Sequence, residues 1–369
     1  RSSKKWREDL FFLQTNGTFS YKIFTTQHFM NNQPTLAAVL IRFRLQMAAR
    51  LGADPQAILA AAKLDPALLE DPDRRIGVAQ ERAVWRAIVQ ATGRPDIGLL
   101  CGENLPIQIT SLIGYTMMNA PSLWVAGQKM QAYQRIMGDS MGMEFEERDK
   151  LAYIKVIMWS DWHAELRHTM DLMMAATFHW IRANSALQVM PFEVGFSYPR
   201  PTNYDTYAHF FSPVPVAFHC SESYLLYNRR ELDAPVLAAN PQLFAVFNRQ
   251  VKELYAKFTA EQPYTWRVRQ TILELLQGQA PSIGEVSARL TMSTRKLQAL
   301  LKEEGASFQH LLNEVRRDLS IQYLQEKQAS KSEIAYLLGF AEVSVFSRTF
   351  KKWTGLSPSE FQAKNASRS

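Results

Sequence analysis

Between residues 281 and 362 the apolar positions recur at helical spacing in two paired runs. Ile283, Val286 and Leu290 fall at i, i+3, i+7, on one face of a helix. Ser293 stands where the next helix needs an N-cap, and Leu297, Leu300 and Leu301 form that helix's apolar face. The plan returns at Ile334, Leu337 and Leu338. Gly339 then permits a sharp turn, and Phe346, Phe350 and Trp353 follow at i, i+4, i+7. Each pair predicts a helix-turn-helix. The stretch 308–327 between them carries a stripe of Leu311, Leu312, Val315, Leu319 and Tyr323. A helix of that length is a rod of roughly 30 Å, close to the spacing of about 34 Å between successive major grooves on one face of DNA. One chain is therefore expected to set two recognition helices in adjacent grooves, with some bending of the duplex.

Upstream the pattern changes. Leu36, Val39, Leu40, Phe43 and Met47 make one helical stripe, and further helical patterns cover 55–69, 79–91, 111–119 and 122–137. Met143 and Phe145, then Ala152, Ile154, Val156 and Met158, alternate with polar residues around a turn at 148–150, which predicts a hairpin. A long helix is expected over 161–187, with short strands at 192–198, 214–219 and 223–227. The expected fold is an α+β N-terminal sensor domain, an antiparallel sheet with helices, followed by an all-α tandem helix-turn-helix DNA-binding domain. Residues 1–29 show no clear period and are expected to be an extension. The sensor should occupy 30–236, a linker helix 237–262 and the DNA-binding domain 263–369. In the linker, Phe244, Phe247, Val251, Leu254 and Phe258 recur at 3,4,3,4. That spacing suits a coiled-coil seam and a homodimer, or equally a helix packed on its own sensor.

The polar faces of the second helix of each pair are the candidate readers. Arg295, Gln298 and Lys302, with Thr294 beside them, share one side; Ser344, Ser347, Arg348 and Lys351 share the other. Arg and Gln can pair two hydrogen bonds with a base edge, whereas Lys and Ser hold phosphates and fix register. Charge agrees with this placement. Of the net +7, residues 263–369 hold +5, from 15 Lys and Arg against 10 Asp and Glu.

These motifs resemble the AraC/XylS family of bacterial transcription regulators. The resemblance rests on MSTRKLQ at 292–298, GASFQHLLNEVR at 305–316, IAYLLGF at 334–340, FSRTFKKWTG at 346–355 and LSPSEF at 356–361. It implies base-reading positions at Arg295, Gln298 and Ala299, and at Val343, Ser344 and Arg348. Thr291 departs from the pattern, standing where the family often has Gly. Ala299 and Val343 are short and apolar where longer polar side chains are common, although Val can still touch a thymine methyl. The N-terminal part is similar to the arabinose-binding-like domain of one branch of the family, through ITSLIGYTMMNAPSLWVAG at 109–127, EVGFSYPRP at 193–201 and the stretch 209–236. That similarity implies a small-molecule effector, which need not be arabinose, with promoter DNA and RNA polymerase as partners; the alternative is a ligand-independent dimeric DNA-binding protein whose N-terminal domain serves only for dimerisation.

Candidate liners of an effector pocket are Trp124, Tyr133, Met158, Trp162, Phe178 and Trp180, all of which also suit plain core packing. Arg135, Arg167 or His168 would serve to anchor an anion, or be surface charges. No enzyme is expected, because nothing in the chain assembles a nucleophile, a base and an oxyanion hole. No cofactor or metal is expected either: His163 and His168 lie five apart and face different sides of a helix. Cys101 and Cys220 make no disulfide framework and have no methyl-acceptor context, and no apolar run approaches 18 residues. A cytoplasmic location is the expectation.

Overall fold

The computed structural model describes residues 34–366 except 72–73, 159–163, 186, 277 and 327–329. The expected 1–29 extension, Trp162 and His163 lie outside the described residues.

The N-terminal part begins with a small helical layer. Thr35–Ala37 (β1) and Arg75–Gly77 (β2) pair antiparallel around the helices Ala38–Arg50 (α1) and Pro55–Ala62 (α2). The helix expected over 55–69 is broken in two. Lys63 turns left-handed at φ 52°, and Asp65 caps a separate 3-10 turn, Pro66–Leu69. Next come Val78–Thr92 (α3), Ile97–Glu103 (α4), Leu112–Met118 (α5) and Leu123–Tyr133 (α6).

The predicted hairpin is Met141–Arg148 (β3) and Leu151–Met158 (β4), paired from Met141↔Met158 to Arg148↔Leu151. Asp149 and Lys150 both take positive φ, at 49° and 75°. Two such residues in a row form the tight turn whose twist matches the flanking strands. The helix Arg167–Asn184 (α7) is shorter than the 161–187 expected. It is followed by Glu193–Gly195 (β5), Tyr204–Phe211 (α8), Val216–Ala217 (β6) and Ser223–Asn228 (β7). The sheet order is β3-β4-β7-β5-β6. One expectation is corrected here: the sheet is mixed, because α8 carries the chain across so that β6 pairs parallel to β5.

Helix α7 is the hub. Its apolar side, with Met170, Met174 and Phe178, packs with the inward sheet residues Ala152, Ile154 and Leu225, while Leu172 joins the core of α1–α4. Helix α4 lies so close that a Cβ on Gly98 would stand 2.5 Å from the His168 carbonyl oxygen. The first turn of α7 is polar and buried. Thr169 donates to Glu81 at 2.7 Å and accepts from the Trp85 indole at 2.7 Å, and Glu81 meets Arg44 at 2.8 Å. Asp171 accepts from the hydroxyls of Tyr198 and Tyr207, and burial pushes its carboxyl up to about 6. His168, weighed as a surface charge, is instead buried beside Trp85, and burial pushes it down to about 4.

The linker helix Pro241–Glu261 (α9) turns its 3,4,3,4 stripe inward. Val251 is buried in the sheet-side core, and Phe244, Phe247 and Leu254 pack against it. Phe247 stacks on Tyr115 at 5.4 Å. Phe258 lies under the Arg75 guanidinium at 5.8 Å and edge-on to Trp266 at 5.9 Å. The stripe packs on the helix's own chain, one of the two arrangements that the spacing allowed. Beyond α9 the chain is helical: Tyr264–Leu275 (α10), Ile283–Arg289 (α11), Thr294–Glu303 (α12), Phe308–Glu326 (α13), Lys331–Leu337 (α14), Val343–Thr354 (α15) and Pro358–Ala366 (α16).

Candidate nucleic-acid interface

The two helix-turn-helix units are α11–α12 and α14–α15, with α13 between them. The first helix and the left-handed turn residue correspond at an offset of 48, from Ser282 and Ser330 to Thr291 and Gly339, and the second helices correspond at an offset of 49, from Thr294 and Val343 onward. Each opens with a reciprocal capping box. Ser282 caps the Glu285 N–H while Glu285 accepts from the Ser282 N–H, and Ser330 and Glu333 do the same. Those bonds hold the Glu285 and Glu333 carboxyls below their usual range. Both boxes are legible in the sequence as Ser-x-x-Glu, and the 48 residues between them mark the repeat that the apolar stripes leave implicit.

The turn of the second unit, 338–342, is one residue longer than that of the first, 290–293, and the two differ at the left-handed position. Gly339 takes φ 67° and Thr291, at the same place in the first unit, takes φ 58°. A β-branched residue is strained in that region. Because the Thr291 side chain is exposed, Thr291→Gly is expected to raise unfolding free energy by about 0.5–1 kcal/mol, the left-handed strain less the backbone entropy of glycine. Thermal or urea denaturation checks this; an unchanged or lower midpoint would refute it.

Ser293 caps α12 by accepting from the Lys296 N–H at 3.3 Å, as expected of it. Leu297 and Leu301 then point into a core with Val286, Val268, Ile272 and Val315. This leaves Arg295, Gln298, Ala299 and Lys302 exposed together at i, i+3, i+4, i+7. Thr294 faces the other way, half-buried, its hydroxyl 3.1 Å from the Ser287 hydroxyl. In α15, Phe346 and Phe350 enter a core with Ile334, Ala335 and Leu338. Ser344, Ser347, Arg348 and Lys351 line the opposite side, Ser347 half-buried and the rest exposed, with Val343 exposed at the start of the helix. The Ser344 hydroxyl donates to Glu342 at 2.9 Å. Each outward face thus combines forked donors with point charges, a set suited to base edges and phosphates.

The effector candidates sit in the N-terminal core. Trp124, Tyr133 and Phe178 are buried, and Met158 and Trp180 are partly buried against them. Trp124 packs edge-on to Phe145 at 5.8 Å and under Arg229 at 4.1 Å. Tyr133 meets Tyr255 of the linker helix at 5.5 Å, and Phe178 meets Phe211 at 5.1 Å. The Trp180 indole N–H is buried with no hydrogen-bond partner among the described residues. Arg167 donates to the Pro95 carbonyl at 3.0 Å. Glu165 bridges Arg82 and Arg86, which hold its carboxyl down to about 2. Among the described residues no cluster of His, Cys, Asp and Glu has the makings of a metal site, and no helix is long and apolar enough to cross a membrane.

Comparison with known proteins agrees with this architecture. A family profile described as the arabinose-binding domain of AraC transcription regulator, N-terminal, matches residues 52–236, and a helix-turn-helix domain profile matches 286–364. The ornithine utilization regulator of Pseudomonas aeruginosa is 28% identical over 318 residues, covering 86% of this chain and 93% of that protein. An uncharacterized HTH-type transcriptional regulator of Mycobacterium tuberculosis is 24% identical over 328 residues, covering 87% and 94%. Among solved structures, the transcriptional regulator CdpR of Pseudomonas aeruginosa aligns at a TM-score of 0.43 and 20% identity, covering 87% of this chain and 98% of that one. The chain belongs to the AraC family of transcription regulators and is a DNA-binding regulator of that type.

Proposed function

We propose that this regulator binds promoter DNA sequence-specifically by placing α12 and α15 in successive major grooves, and that a small molecule bound within 30–236 modulates this activity. The observation that carries the first part is the pair of equivalent exposed faces, Arg295/Gln298/Ala299/Lys302 and Ser344/Ser347/Arg348/Lys351, on the two ends of one repeat. Arg348 and Arg295 are the base readers, and Lys351 and Lys302 the phosphate contacts. The relative named for ornithine utilization makes basic amino acids the first effectors to screen. The proposal includes the linker at 237–262, the DNA-binding domain at 263–369, a bacterial cytoplasmic setting, RNA polymerase as a partner and a homodimer. A dimer using α9 would have to engage its outward side, where Leu243 and Val246 are exposed, and sedimentation of the full chain tests for it.

The DNA-reading part is tested by selecting binding sites from random-sequence DNA with the full chain and footprinting the winner. Protection of two major-groove segments one helical turn apart is the expected result; scattered, salt-labile binding without a shared motif would refute it. On the selected site, Arg348→Ala is expected to cost about 1–3 kcal/mol and to relax preference at one base position. Lys351→Ala should weaken all sequences alike and reduce the salt dependence. Unchanged discrimination in the Arg348 variant would remove that residue from the reading.

A further inference from the structure

Two recognition helices on one chain read DNA jointly only if something fixes the distance and angle between them. Three sets of contacts bear on this. Leu276, just past α10, and Leu319, on α13, pack against the cores of both helix-turn-helix units. The loop between α10 and α11 seats the turn of the second unit. The Gly278 N–H donates to the Leu337 carbonyl at 3.3 Å, and the Tyr336 ring lies against Gly278, where a Cβ would come within 3.0 Å of it. Gly339 sits so close to that loop that a Cβ there would stand 2.3 Å from the Ala280 nitrogen. From the other side, Arg316 of α13 donates from Nε to the Leu338 carbonyl at 2.8 Å and from Nη2 to the Gly339 carbonyl at 2.7 Å. Its guanidinium lies 4.4 Å from the centre of the Phe340 ring.

The chemistry of this clasp is specific. A helix C-terminus leaves its last carbonyls without partners inside the helix, and a guanidinium presents a rigid fork of donors that fits two of them at once. The turn does not need Arg316 in order to form. Arg316 stands 14 residues before the capping Ser330; at the same distance before Ser282 stands Val268, fully buried, and the first unit reaches its left-handed turn at Thr291 without an arginine there. The arginine is present only where a turn must be tied to the helix that spans the two units.

We infer that Arg316 is a positioning residue that sets the register between the two recognition helices, so that binding depends on the spacing between the two half-sites. The inference rests on the two-groove reading proposed above. With the clasp closed, changing the spacing by one base pair moves one helix out of phase with its groove, and the protein cannot follow. With the clasp open, α15 can re-aim.

The test uses the full chain on the selected site and on versions with one or two base pairs inserted or deleted between the protected segments. Arg316→Met keeps an apolar stem over Phe340 and removes both hydrogen bonds. The parent chain should lose about tenfold or more in affinity for each base pair of spacing change. The variant should bind the original spacing about tenfold more weakly, as lost charged hydrogen bonds imply, yet lose less than about threefold on changing it. A merely structural role would lower affinity by one factor at every spacing, and parallel profiles would overturn the inference. Tyr336→Ala, which loosens the seat from an exposed position and spares the core, should flatten the profile in the same direction, so a poorly folding Arg316 variant does not spoil the test. A parent footprint over one groove only would overturn the two-groove reading itself, and the inference with it.

Discussion

Replacing Glu81 with Gln is expected to remove about 3–5 kcal/mol of unfolding free energy, the usual cost of breaking one side of a buried ion pair. Glu81 is fully buried and Arg44 nearly so, with 2.8 Å between Arg44 Nη1 and Glu81 Oε1. Glutamine is close to isosteric and still accepts from Thr169, so packing changes little. What changes is that the Arg44 guanidinium, 4.6 Å from the centre of the Trp85 ring, is left as an uncompensated charge out of water. The loss should appear in urea denaturation as a lower midpoint. An Arg44→Met, Glu81→Met double variant should regain most of it, because two apolar groups of similar volume carry no charge to bury. A loss below about 1 kcal/mol, or a double variant no better than the single, would show that the pair is already neutralised or hydrated. The consequence reaches function through position. The pair joins α1 and α3 to the first turn of α7, and α7 carries both the sheet and the candidate effector side chain Phe178.

The sequence was most legible where contacts are local. The C-terminal helices announce themselves by a 3.6-residue period and by caps, and the outward faces follow from the inward ones without further information. In the sensor, the long-range pairings were not legible. The tripeptides at 35–37 and 75–77 are too short to alternate, and their pairing depends on a partner 40 residues away. The segment 97–103 is rich in Gly, which reads as a helix breaker, yet Gly98 and Gly102 are what allow α4 to approach α7. His168 reads as an anion anchor or a surface charge because it is polar; only the folded chain brings Trp85 to it, and Glu81, Tyr198 and Tyr207 to its neighbours Thr169 and Asp171. The stripe on α9 shows the opposite limit. A 3,4 repeat reports that one face is buried and is silent on whether the covering surface belongs to the same chain or to a second copy.

Gly339→Thr is expected to disable the second reader, although it installs the residue that the first unit carries at the same place. Any side chain at φ 67° costs about 1–2 kcal/mol, more for a branched one. In the first unit that cost is tolerated because Thr291 projects outward. At 339 the new Cβ would stand 2.3 Å from the Ala280 nitrogen and 2.8 Å from the Gln279 carbonyl carbon. Both are backbone atoms that no rotamer change can move aside, so overpacking adds about 1–3 kcal/mol. The combined strain, about 2–5 kcal/mol, falls on a core of few buried side chains, Ile334, Ala335, Leu338, Phe346 and Phe350 with Leu324. The turn is expected to leave its seat and α15 its aim. On the selected site, protection of the groove read by α15 should vanish while the α12 groove stays partly protected, and the salt dependence should shrink as the Lys351 contact goes. The reciprocal Thr291→Gly change, chemically the same exchange reversed, should leave the footprint intact. A full two-groove footprint from the Gly339 variant would mean that the α10–α11 loop yields at Ala280, and that the seat is softer than its close contacts imply.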